Sequence, residues 1–411
     1  MPQDQNLPEN PAPPMFPGRH PRSARTTAVA VGMLLVLTGT ATAWALTRPG
    51  PSEPTGAPVG SAAGAHRDPQ VQSVLDGLVD DLGFPGVVAH VVDADGVAGD
   101  YTAGVGDLAA GTEVPPDGQV RIASNTKTFT ATVVLQLVGE GLVELDEPIE
   151  TYLPGLVRGE GNDGAAITVR HLLQHTSGLF NYTAEMDPDP FVTRDVYVPQ
   201  RHHTDVAFAH PPLFEPGTTW SYSNTNYTVL GMLVEKVTGR PMAEQVTQRI
   251  IEPLGLGDTY VPAPGERELR GAHPRGYHPG ADGELADITD LDPSWAGPAG
   301  DIVSTPSDLL AFFAALVGGD LLGTAEQDEL VRLVDLPEEY PGDGYGLGVT
   351  RTTLSCGTVL WGHGGDIQGY STRGGVTEGG RGVIYTVTAL PTSMETVYAM
   401  EDAVDAIVCR D

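Results

Sequence analysis

Strand-forming patterns lie near both ends of the sequence, and helical patterns occupy the part between them. Residues 86–92 and 97–105 are two strand-like runs on either side of Asp95-Gly96, a dipeptide that favours a tight hairpin turn. Four further strand-like runs come late in the chain, at 344–353, 358–361, 369–376 and 382–389. We therefore expect both ends to contribute to one discontinuous α/β domain, with the helical middle inserted into it.

The predicted boundaries divide the chain into four parts. Residues 1–46 are assigned to a cytoplasmic tail followed by a signal or anchor segment, and residues 47–67 to a flexible linker. The discontinuous α/β domain comprises residues 68–150 and 296–411, and a mainly helical domain comprises residues 151–295. A cleft between these two domains is the expected position of an active site.

An export segment is expected near the N-terminus. Three arginines between residues 19 and 25 precede the apolar residues 27–46. A helix of about 20 residues just spans a bilayer core, and arginines are retained on the cytoplasmic side. Residues 41–43, Ala-Thr-Ala, also fit the cleavage site of a signal peptide. A single membrane anchor and a cleaved signal are both kept as alternatives, and both place the folded part outside the cytoplasm.

Charge and cysteine content narrow the class of protein. The formal net charge of −32 argues against nucleic acid as a partner, because phosphate binding needs clustered Lys and Arg. Cys356 and Cys409 are the only cysteines, which suits one disulfide in an oxidising compartment; two unpaired buried thiols are the alternative. We expect a monomer that uses no cofactor and no metal.

Lysine is rare in this chain, which makes Lys127 notable. Of the 22 Lys and Arg residues, only Lys127 and Lys236 are lysines. Lys127 follows Ser124 by three positions, the spacing that places two side chains on one face of a helix. A Lys amine, unlike an Arg guanidinium, can lose its proton when it is buried. Ser124 and Lys127 are therefore candidates for a nucleophile and its base, although they also fit an ordinary helix start.

Two later motifs offer further polar groups. Tyr222 and Asn224 lie in a loop that leads into a predicted helix, where a phenol can relay a proton and an amide can hold a substrate carbonyl. His363 follows a predicted strand and precedes Gly364 and Gly365, which let a substrate backbone approach the strand edge. Taken singly, Asn224 also fits a helix N-cap and His363 a core residue.

Together these residues resemble the motifs of the penicillin-recognising serine hydrolases, the β-lactamase/transpeptidase-like family. S-x-x-K at Ser124, Y-x-N at Tyr222 and H-x-G at His363 occur in the family's order. The stretches 167–179 and 299–305 are similar to the family as well. The resemblance implies an α/β fold with an antiparallel five-stranded sheet flanked by helices and an inserted mainly helical domain.

The resemblance also implies roles for individual residues. Ser124 is the acylated nucleophile, with Lys127 and Tyr222 sharing the duties of general base and proton relay. The backbone N–H groups of Ser124 and Asp366 form the oxyanion hole. For Trp295, a position in the hydrophobic core is the alternative to a role in substrate binding. The positions implied for substrate binding are Asn224, His363, Gly365, Asp366, Trp295 and Arg351.

One departure from the family pattern bears on the substrate. Related carboxypeptidases carry Thr-Gly-Thr after the His and bind the terminal carboxylate of the substrate with these hydroxyls and a nearby Arg. Here Gly364 and Asp366 replace the hydroxyls, and Arg351 stands one position beyond the expected Arg. Two carboxylates about 4 Å apart repel by roughly 4 kcal/mol at an effective dielectric of 20. Asp366 in the cleft would disfavour a free carboxylate, whereas Asp366 turned away would leave Arg351 to bind one.

The resemblance implies a hydrolase that works through an acyl-enzyme, and a D-alanyl-D-alanine carboxypeptidase acting on peptidoglycan-type peptides is the first expectation. β-Lactams are then expected as covalent inhibitors. The alternatives are an esterase, a D-amino-acid amidase or a β-lactamase of the same fold, and a penicillin-binding sensor that does not turn over.

A zinc hydrolase is disfavoured because His171 and His175 lack the Glu of H-E-x-x-H. An α/β-hydrolase is disfavoured because Arg373 stands where G-x-S-x-G requires its last Gly.

Overall fold

The computed structural model describes residues 68–187, 189–338 and 340–410. The predicted N-terminal tail, signal or anchor segment and linker lie in residues 1–67, outside the described residues. Within the described ranges, no helix is both long enough and apolar enough to cross a bilayer.

Helices flank the chain at both ends and fill its middle. Asp68 caps the first helix by accepting a hydrogen bond from the backbone N–H of Gln70, and Thr305 caps the tenth helix in the same way. The α-helical segments of the described residues are α1 (Pro69–Asp80), α2 (Thr126–Gly139), α3 (Ile149–Tyr152), α4 (Val169–Leu173), α5 (Pro190–Thr193), α6 (Gln200–Ala207), α7 (Asn224–Thr238), α8 (Met242–Val246), α9 (Glu252–Leu254), α10 (Pro306–Gly318), α11 (Thr324–Leu330) and α12 (Met394–Val408).

Most of the described strands belong to one antiparallel sheet. The strands are β1 (Gly86–Val92), β2 (Ala98–Gly104), β3 (Val120–Arg121), β4 (Arg158–Gly159), β5 (Asn162–Asp163), β6 (Tyr277–Pro279), β7 (Leu285–Asp287), β8 (Val303–Ser304), β9 (Gly344–Tyr345), β10 (Thr350–Thr353), β11 (Val359–Gly362), β12 (Gly365–Ile367), β13 (Tyr370–Thr377) and β14 (Gly382–Val387). The sheet has the order β2-β1-β14-β13-β11-β10-β9, and the short β12 pairs with β13 beside this path. Both ends of the chain thus contribute to the sheet, as predicted.

Helices cover both faces of the sheet, which explains why β1 is apolar on both sides. Val87, Ala89 and Val91 of β1 share a core with α1 and α12. Val88 points to the opposite face, as the two-residue period of a strand requires, and belongs to a larger core with α2, α7 and α10. This larger core continues from the sheet into the helical segment, and the division into two domains remains a prediction.

The predicted antiparallel sheet flanked by helices is confirmed, but the expected number of five strands was too low. Eight strands of the described residues belong to the sheet. The run 344–353 forms two short strands, β9 and β10, because the chain turns at Gly348, where φ is +83°. A Cβ atom at this position would lie only 2.5 Å from the Cβ atom of Ala131. The turn therefore brings the backbone against α2, which a side chain at Gly348 would prevent.

Helix α2 is buried along nearly its whole length, so its polar residues need partners inside the protein. Thr128 donates a hydrogen bond to the carbonyl oxygen of Gly348 at 2.7 Å. Thr130 donates to the carbonyl oxygen of Pro298 at 2.8 Å. These bonds avoid the cost of an unpaired buried hydroxyl. The first turns of α2, which contain Lys127 and directly follow Ser124, are thereby fixed to the turn between β9 and β10 and to the backbone of Pro298.

The predicted disulfide is present between Cys356 and Cys409, whose Cα atoms are 5.5 Å apart. Cys356 lies in the turn between β10 and β11, and Cys409 ends α12. The bond therefore ties the last helix to a hairpin of the sheet across a sequence separation of 53 residues.

Replacing both cysteines by serine should lower the free energy of unfolding by about 3–4 kcal/mol, because a loop of this length restricts the unfolded chain. Urea denaturation of the Cys356→Ser/Cys409→Ser variant measures the change. Ser355→Ala is the matched control, since it removes one hydrogen bond to Asp405 in the same turn without opening the cross-link, and should cost about 1 kcal/mol. Equal losses in the two variants would contradict the prediction.

Candidate active site

Ser124 lies at the junction between β3 and α2. Ala123, directly before it, has a φ of +49°, a left-handed conformation that few non-glycine residues adopt. Ser124 lies in a short 3₁₀ helix, Ala123–Asn125, that leads into α2, and the backbone N–H groups of a first helical turn lack partners within the helix. The side chain of Ser124 is partly exposed. Its hydroxyl is therefore accessible, while its backbone is held in place by a strained turn.

Lys127 is fully buried one turn further along. Its Nζ atom lies 2.9 Å from Ser124 Oγ, 2.7 Å from Asn224 Oδ1 and 2.7 Å from the carbonyl oxygen of Ala299. Burial lowers the pKa of Lys127 well below its ordinary value, because a charged amine loses its hydration. A neutral amine can donate to two of these oxygens and accept the hydroxyl proton of Ser124, which is the arrangement that a base requires.

Tyr222 faces Ser124 and Lys127 from the helical side. The Lys127 Nζ atom lies 4.8 Å from the centroid of the Tyr222 ring. Burial raises the pKa of the Tyr222 phenol well above its ordinary value, and Tyr340 raises it further, whereas the Ser124 side chain lowers it. The phenol is therefore neutral at pH 7 and can give or pass on a proton beside the Ser124 hydroxyl.

Asn224 is the first residue of α7, and Ser223 is its N-cap. The side chain of Asn224 is held from two directions, since Oδ1 accepts from Lys127 and Nδ2 lies 3.3 Å from Asn181 Oδ1. Asn181 Oδ1 also accepts the backbone N–H of Asn224 at 3.0 Å. Sequence reasoning missed Asn181 because it belongs to none of the three motifs. Only the fold brings it next to Asn224.

His363 is buried at the end of β11 and its tautomer follows from its partners. Nδ1 lies 2.5 Å from the carbonyl oxygen of Gly364, which can only accept, so Nδ1 carries the proton. Nε2 then accepts from the Tyr345 hydroxyl at 3.0 Å. Burial, followed by the nearby Lys127, lowers the pKa of His363 to about 3. His363 therefore presents a neutral ring near Ser124.

Gly365 is required by close packing between β12 and the turn that carries Ser124. A Cβ atom at Gly365 would lie 2.3 Å from the carbonyl oxygen of Ile122 and 3.2 Å from the backbone nitrogen of Ser124. Any larger residue would push the strand away from the nucleophile. The glycine of the H-x-G motif thus sets the spacing between β12 and Ser124.

A cavity of about 580 Å³ opens above Ser124. Its walls come from both the sheet and the helical segment, as expected for a cleft between the two. The described residues that line it include Ser124, Tyr222, Asn224, Tyr340, Thr350, Thr352, His363, Gly364, Asp366, Arg373, Met394 and Glu401. The three sequence motifs therefore meet at one cavity.

Two acidic residues, Asp366 and Glu401, and one basic residue, Arg373, are among the described residues that line the cavity. Asp366 Oδ1 lies 3.0 Å from Arg373 Nη1, and Asp366 Oδ2 lies 3.2 Å from Arg373 Nη2. Arg373 Nε lies 3.0 Å from Glu401 Oε1. The guanidinium, which is almost fully buried, is thus paired on two sides. Sequence reasoning missed Arg373 and Glu401, because one is a basic residue within a strand and the other an acidic residue on a helix, with no motif to mark either.

Two predicted site residues lie elsewhere. The side chain of Arg351 pairs with Asp343 at 2.7 Å and is not among the residues that line the cavity, because its neighbours Thr350 and Thr352 face the cavity and successive strand residues face opposite sides. Trp295 packs against the larger core, and its carbonyl oxygen accepts a hydrogen bond from Tyr182. The core alternative for Trp295 is therefore the one that fits its contacts.

Potential metal ligands cluster away from this cavity. Among the described residues, His90, Asp100 and Asp117 could offer ligand atoms within 4.8 Å of one another, and none of them lines the cavity. His171 stabilises the start of α4, where its Nδ1 accepts the backbone N–H of Thr168 at 3.3 Å. The polar groups around Ser124 are therefore an amine, a phenol, an amide and an imidazole, which suit acyl transfer without a metal ligand set.

Solved structures with the same fold include two amide hydrolases. The crystal structure of a D-stereospecific amidohydrolase from Streptomyces sp. is 40% identical in sequence with a TM-score of 0.74, and the match covers 80% of this chain and 97% of that chain. The D-amino acid amidase from Ochrobactrum anthropi SV3, complexed with L-phenylalanine amide, is 30% identical with a TM-score of 0.73, and the match covers 82% of this chain and 96% of that chain.

Sequence comparison leads to the same group of proteins. Penicillin-binding protein 4 from Amycolatopsis lactamdurans is 31% identical over 243 residues, which is 59% of this chain and 61% of that protein. This chain spans 55–61% of the length of the first curated relatives that it matches. The family model described as Beta-lactamase matches residues 71–406. With its three motifs gathered at one cavity, the chain belongs to the beta-lactamase family.

Proposed function

We propose that this protein is a serine hydrolase that forms an acyl-enzyme on Ser124 and cleaves amides of D-amino acids whose leaving group carries no carboxylate. The observation that carries the proposal is the acidic Asp366 side chain, which lines the same cavity as Ser124. Arg373 is the only Lys or Arg among the described residues that line this cavity, and it is already paired with Asp366 and Glu401. The names of the D-stereospecific amidohydrolase and the D-amino acid amidase support the substrate class.

In the proposed acylation, Ser124 Oγ attacks the carbonyl carbon of the substrate, and its proton passes to Lys127 Nζ. The backbone N–H groups of Ser124 and Asp366 stabilise the negative oxygen of the tetrahedral intermediate. The C–N bond then breaks as the leaving nitrogen receives a proton through Tyr222, which is replenished from the Lys127 ammonium. Water next attacks the acyl ester, gives one proton to Lys127, and releases the D-amino acid while Ser124 regains its proton.

The division of work between Lys127 and Tyr222 follows from their opposite pKa changes. Burial favours the neutral form of each residue, but the neutral amine is a base and the neutral phenol is an acid. Lys127 is therefore proposed as the general base that activates Ser124. Tyr222 is proposed as the relay that delivers the proton to the leaving group.

The charge of the cavity disfavours a free carboxylate on the substrate. Arg373 is already paired with Asp366 and Glu401, so an additional carboxylate would meet the negative charge of Asp366 with no unpaired cation among the described lining residues to offset it. The side chain of Asp366 is half exposed, and solvent screens part of this effect. The same repulsion acts on peptides ending in D-alanine and on penicillins, whose bicyclic core bears a carboxylate.

The proposal therefore departs from the first expectation, a D-alanyl-D-alanine carboxypeptidase, and adopts one of its alternatives. An esterase remains the second candidate, since a simple ester also lacks the disfavoured carboxylate. We further propose that the protein acts outside the cytoplasm, which the disulfide between Cys356 and Cys409 supports, because such bonds persist in oxidising compartments.

A substrate panel tests the proposal. D-alanine amide should be hydrolysed with a kcat/KM at least about tenfold higher than that of a peptide ending in D-alanyl-D-alanine, a difference of about 1.4 kcal/mol. L-alanine amide controls for stereospecificity, a p-nitrophenyl acetate assay measures esterase activity, and nitrocefin measures β-lactamase activity. Ser124→Ala should abolish all of these activities. Faster turnover of the free-acid peptide than of the amide would overturn the substrate assignment.

Asp366→Thr should improve the use of substrates with a free carboxylate. Removal of the acid frees one side of Arg373, and we expect kcat/KM for the D-alanyl-D-alanine peptide to rise about tenfold to hundredfold. This increase is smaller than the one expected for an unscreened pair of charges, because solvent screens the half-exposed Asp366. Asp343→Asn is the matched control, because it makes the same change of net charge beside Arg351 and outside the cavity. An equal effect of both variants would indicate a general charge effect and contradict the role of Asp366.

The pH dependence should show one acid limb, caused by Lys127. Activity requires the neutral amine, so kcat/KM falls as the pH decreases through the lowered pKa of Lys127 in the free enzyme. His363, with a pKa of about 3, and Tyr222, with a raised pKa, do not titrate near neutrality.

Lys127→Arg should lose about 10²–10⁴-fold activity at every pH, since a guanidinium does not deprotonate. An arginine variant with the rate and profile of the wild type would exclude Lys127 as the base.

A further inference from the structure

His175 lies directly behind Tyr222, in the turn that follows α4. Its imidazole is fully buried, and the centroid of its ring lies 4.3 Å from that of the Tyr222 ring, with an angle of 34° between the two planes. Tyr222 faces the cavity, whereas His175 is not among the residues that line it. His175 is therefore in a position to act on Tyr222 and not on a substrate.

The backbone on both sides of Tyr222 is bound to His175. The N–H of Ser221 donates to the carbonyl oxygen of His175 at 3.0 Å. The N–H of Ser223 donates to His175 Nδ1 at 3.2 Å. One residue thus holds the two neighbours of Tyr222 and also packs against its ring, which leaves the phenol little freedom to move.

The hydrogen bonds of His175 also fix its tautomer. Ser177 Oγ donates to Asn226 Oδ1 at 2.5 Å, which orients the Asn226 amide so that Nδ2 points to His175 Nδ1, at 3.0 Å. Nδ1 is therefore an acceptor for two donors, and the proton of the neutral ring is on Nε2. Burial, followed by Lys127 and His363, lowers the pKa of His175 well below its ordinary value. The acceptor at Nδ1 is thus present over the whole range in which the enzyme is expected to work.

The backbone of His175 is in a conformation that few residues adopt. Its φ of +59° is left-handed, a conformation that non-glycine residues adopt rarely, although asparagine, aspartate and histidine adopt it more often than the others. Such strain persists where the surrounding structure holds it, and it is concentrated at functional sites. Here the unusual turn directs both the carbonyl oxygen and the imidazole toward residues 221–223.

We infer that His175 is a positioning residue, which holds the Tyr222 phenol beside Ser124 through the backbone of residues 221 and 223 and through ring contact. The inference rests on the proposed function, because it concerns the proton relay assigned to Tyr222. It also gives His175 a purpose that its spacing from His171 does not suggest, since His171 Nδ1 accepts the backbone N–H of Thr168 and His175 Nδ1 that of Ser223.

The rate at which a fluorophosphonate probe labels Ser124 tests the inference without knowledge of the substrate. The Ser124 oxygen bonds to phosphorus and its hydroxyl proton passes to Lys127, while the departing fluoride receives a proton through Tyr222, which the Lys127 ammonium replenishes. His175→Ala should slow labelling by about tenfold to hundredfold, as expected for a displaced catalytic group. His175→Asn should restore most of the rate, because its Oδ1 can replace Nδ1 and asparagine tolerates a positive φ. His175→Gln, whose amide replaces Nε2 and not Nδ1, should not restore it.

The Tyr222→Phe variant shows whether the effect passes through the phenol. In that background each His175 substitution should change the labelling rate by less than about twofold, since coupled residues are not additive. His171→Ala is the matched control from the same segment and should label at the wild-type rate. If His175→Ala does not fold, the comparison of asparagine with glutamine decides the question.

Additive effects in the Tyr222→Phe background, or equal rates for His175→Asn and His175→Gln, would overturn the inference and leave the proposed function intact. A wild-type protein that the probe does not label at Ser124 would overturn both. The expected pattern is a rate that depends on the acceptor at position 175 only while the phenol at position 222 is present.

Discussion

The burial of one amine is the constraint on which the rest of the site depends. Lys127 lies in a helix that is buried along nearly its whole length and packs against α7 and α11, so its charged form has little solvation. Three oxygen atoms surround its Nζ, and they suit a neutral amine as well as a charged one. Because hydrogen bonding does not decide between the two forms, the packing of α2 decides the protonation state and thereby the reactivity of Ser124.

The groups next to Lys127 share its preference for the neutral state. Burial raises the pKa of Tyr222 and lowers those of His175 and His363, so each of these rings is uncharged near pH 7. The acidic and basic side chains that line the cavity are instead those of Asp366, Arg373 and Glu401, which pair with one another and are here called the charged rim. The proposed chemistry therefore involves uncharged, buried groups, among which a developing negative oxygen is strongly affected by nearby N–H groups, while the proposed selection of the substrate depends on the charged rim.

Sequence reasoning identified the elements whose signal is local. The strand 86–92 and the disulfide follow from periodicity and cysteine count, and three motifs mark residues that the fold brings together. It failed where the answer depends on strand register. Arg351 stands one position from the expected basic residue, and in a strand a shift by one position moves a side chain to the other face. Arg373 and Asn181 reach the site only through pairing and packing that no local pattern encodes.

The separation between the reactive centre and the charged rim explains why shared motifs do not determine a shared substrate. Ser124 and Lys127 are fixed by the packing of α2, and Gly365 is fixed by the close approach of β12, so these positions tolerate little change. Asp366, one residue beyond Gly365, is half exposed and pairs with the neighbouring strand, so its replacement alters the rim without disturbing the packing beneath it. Under the proposed function, a single substitution at this position changes which substrates are accepted while acyl transfer is retained, so the substrate class follows from the rim and not from the motifs.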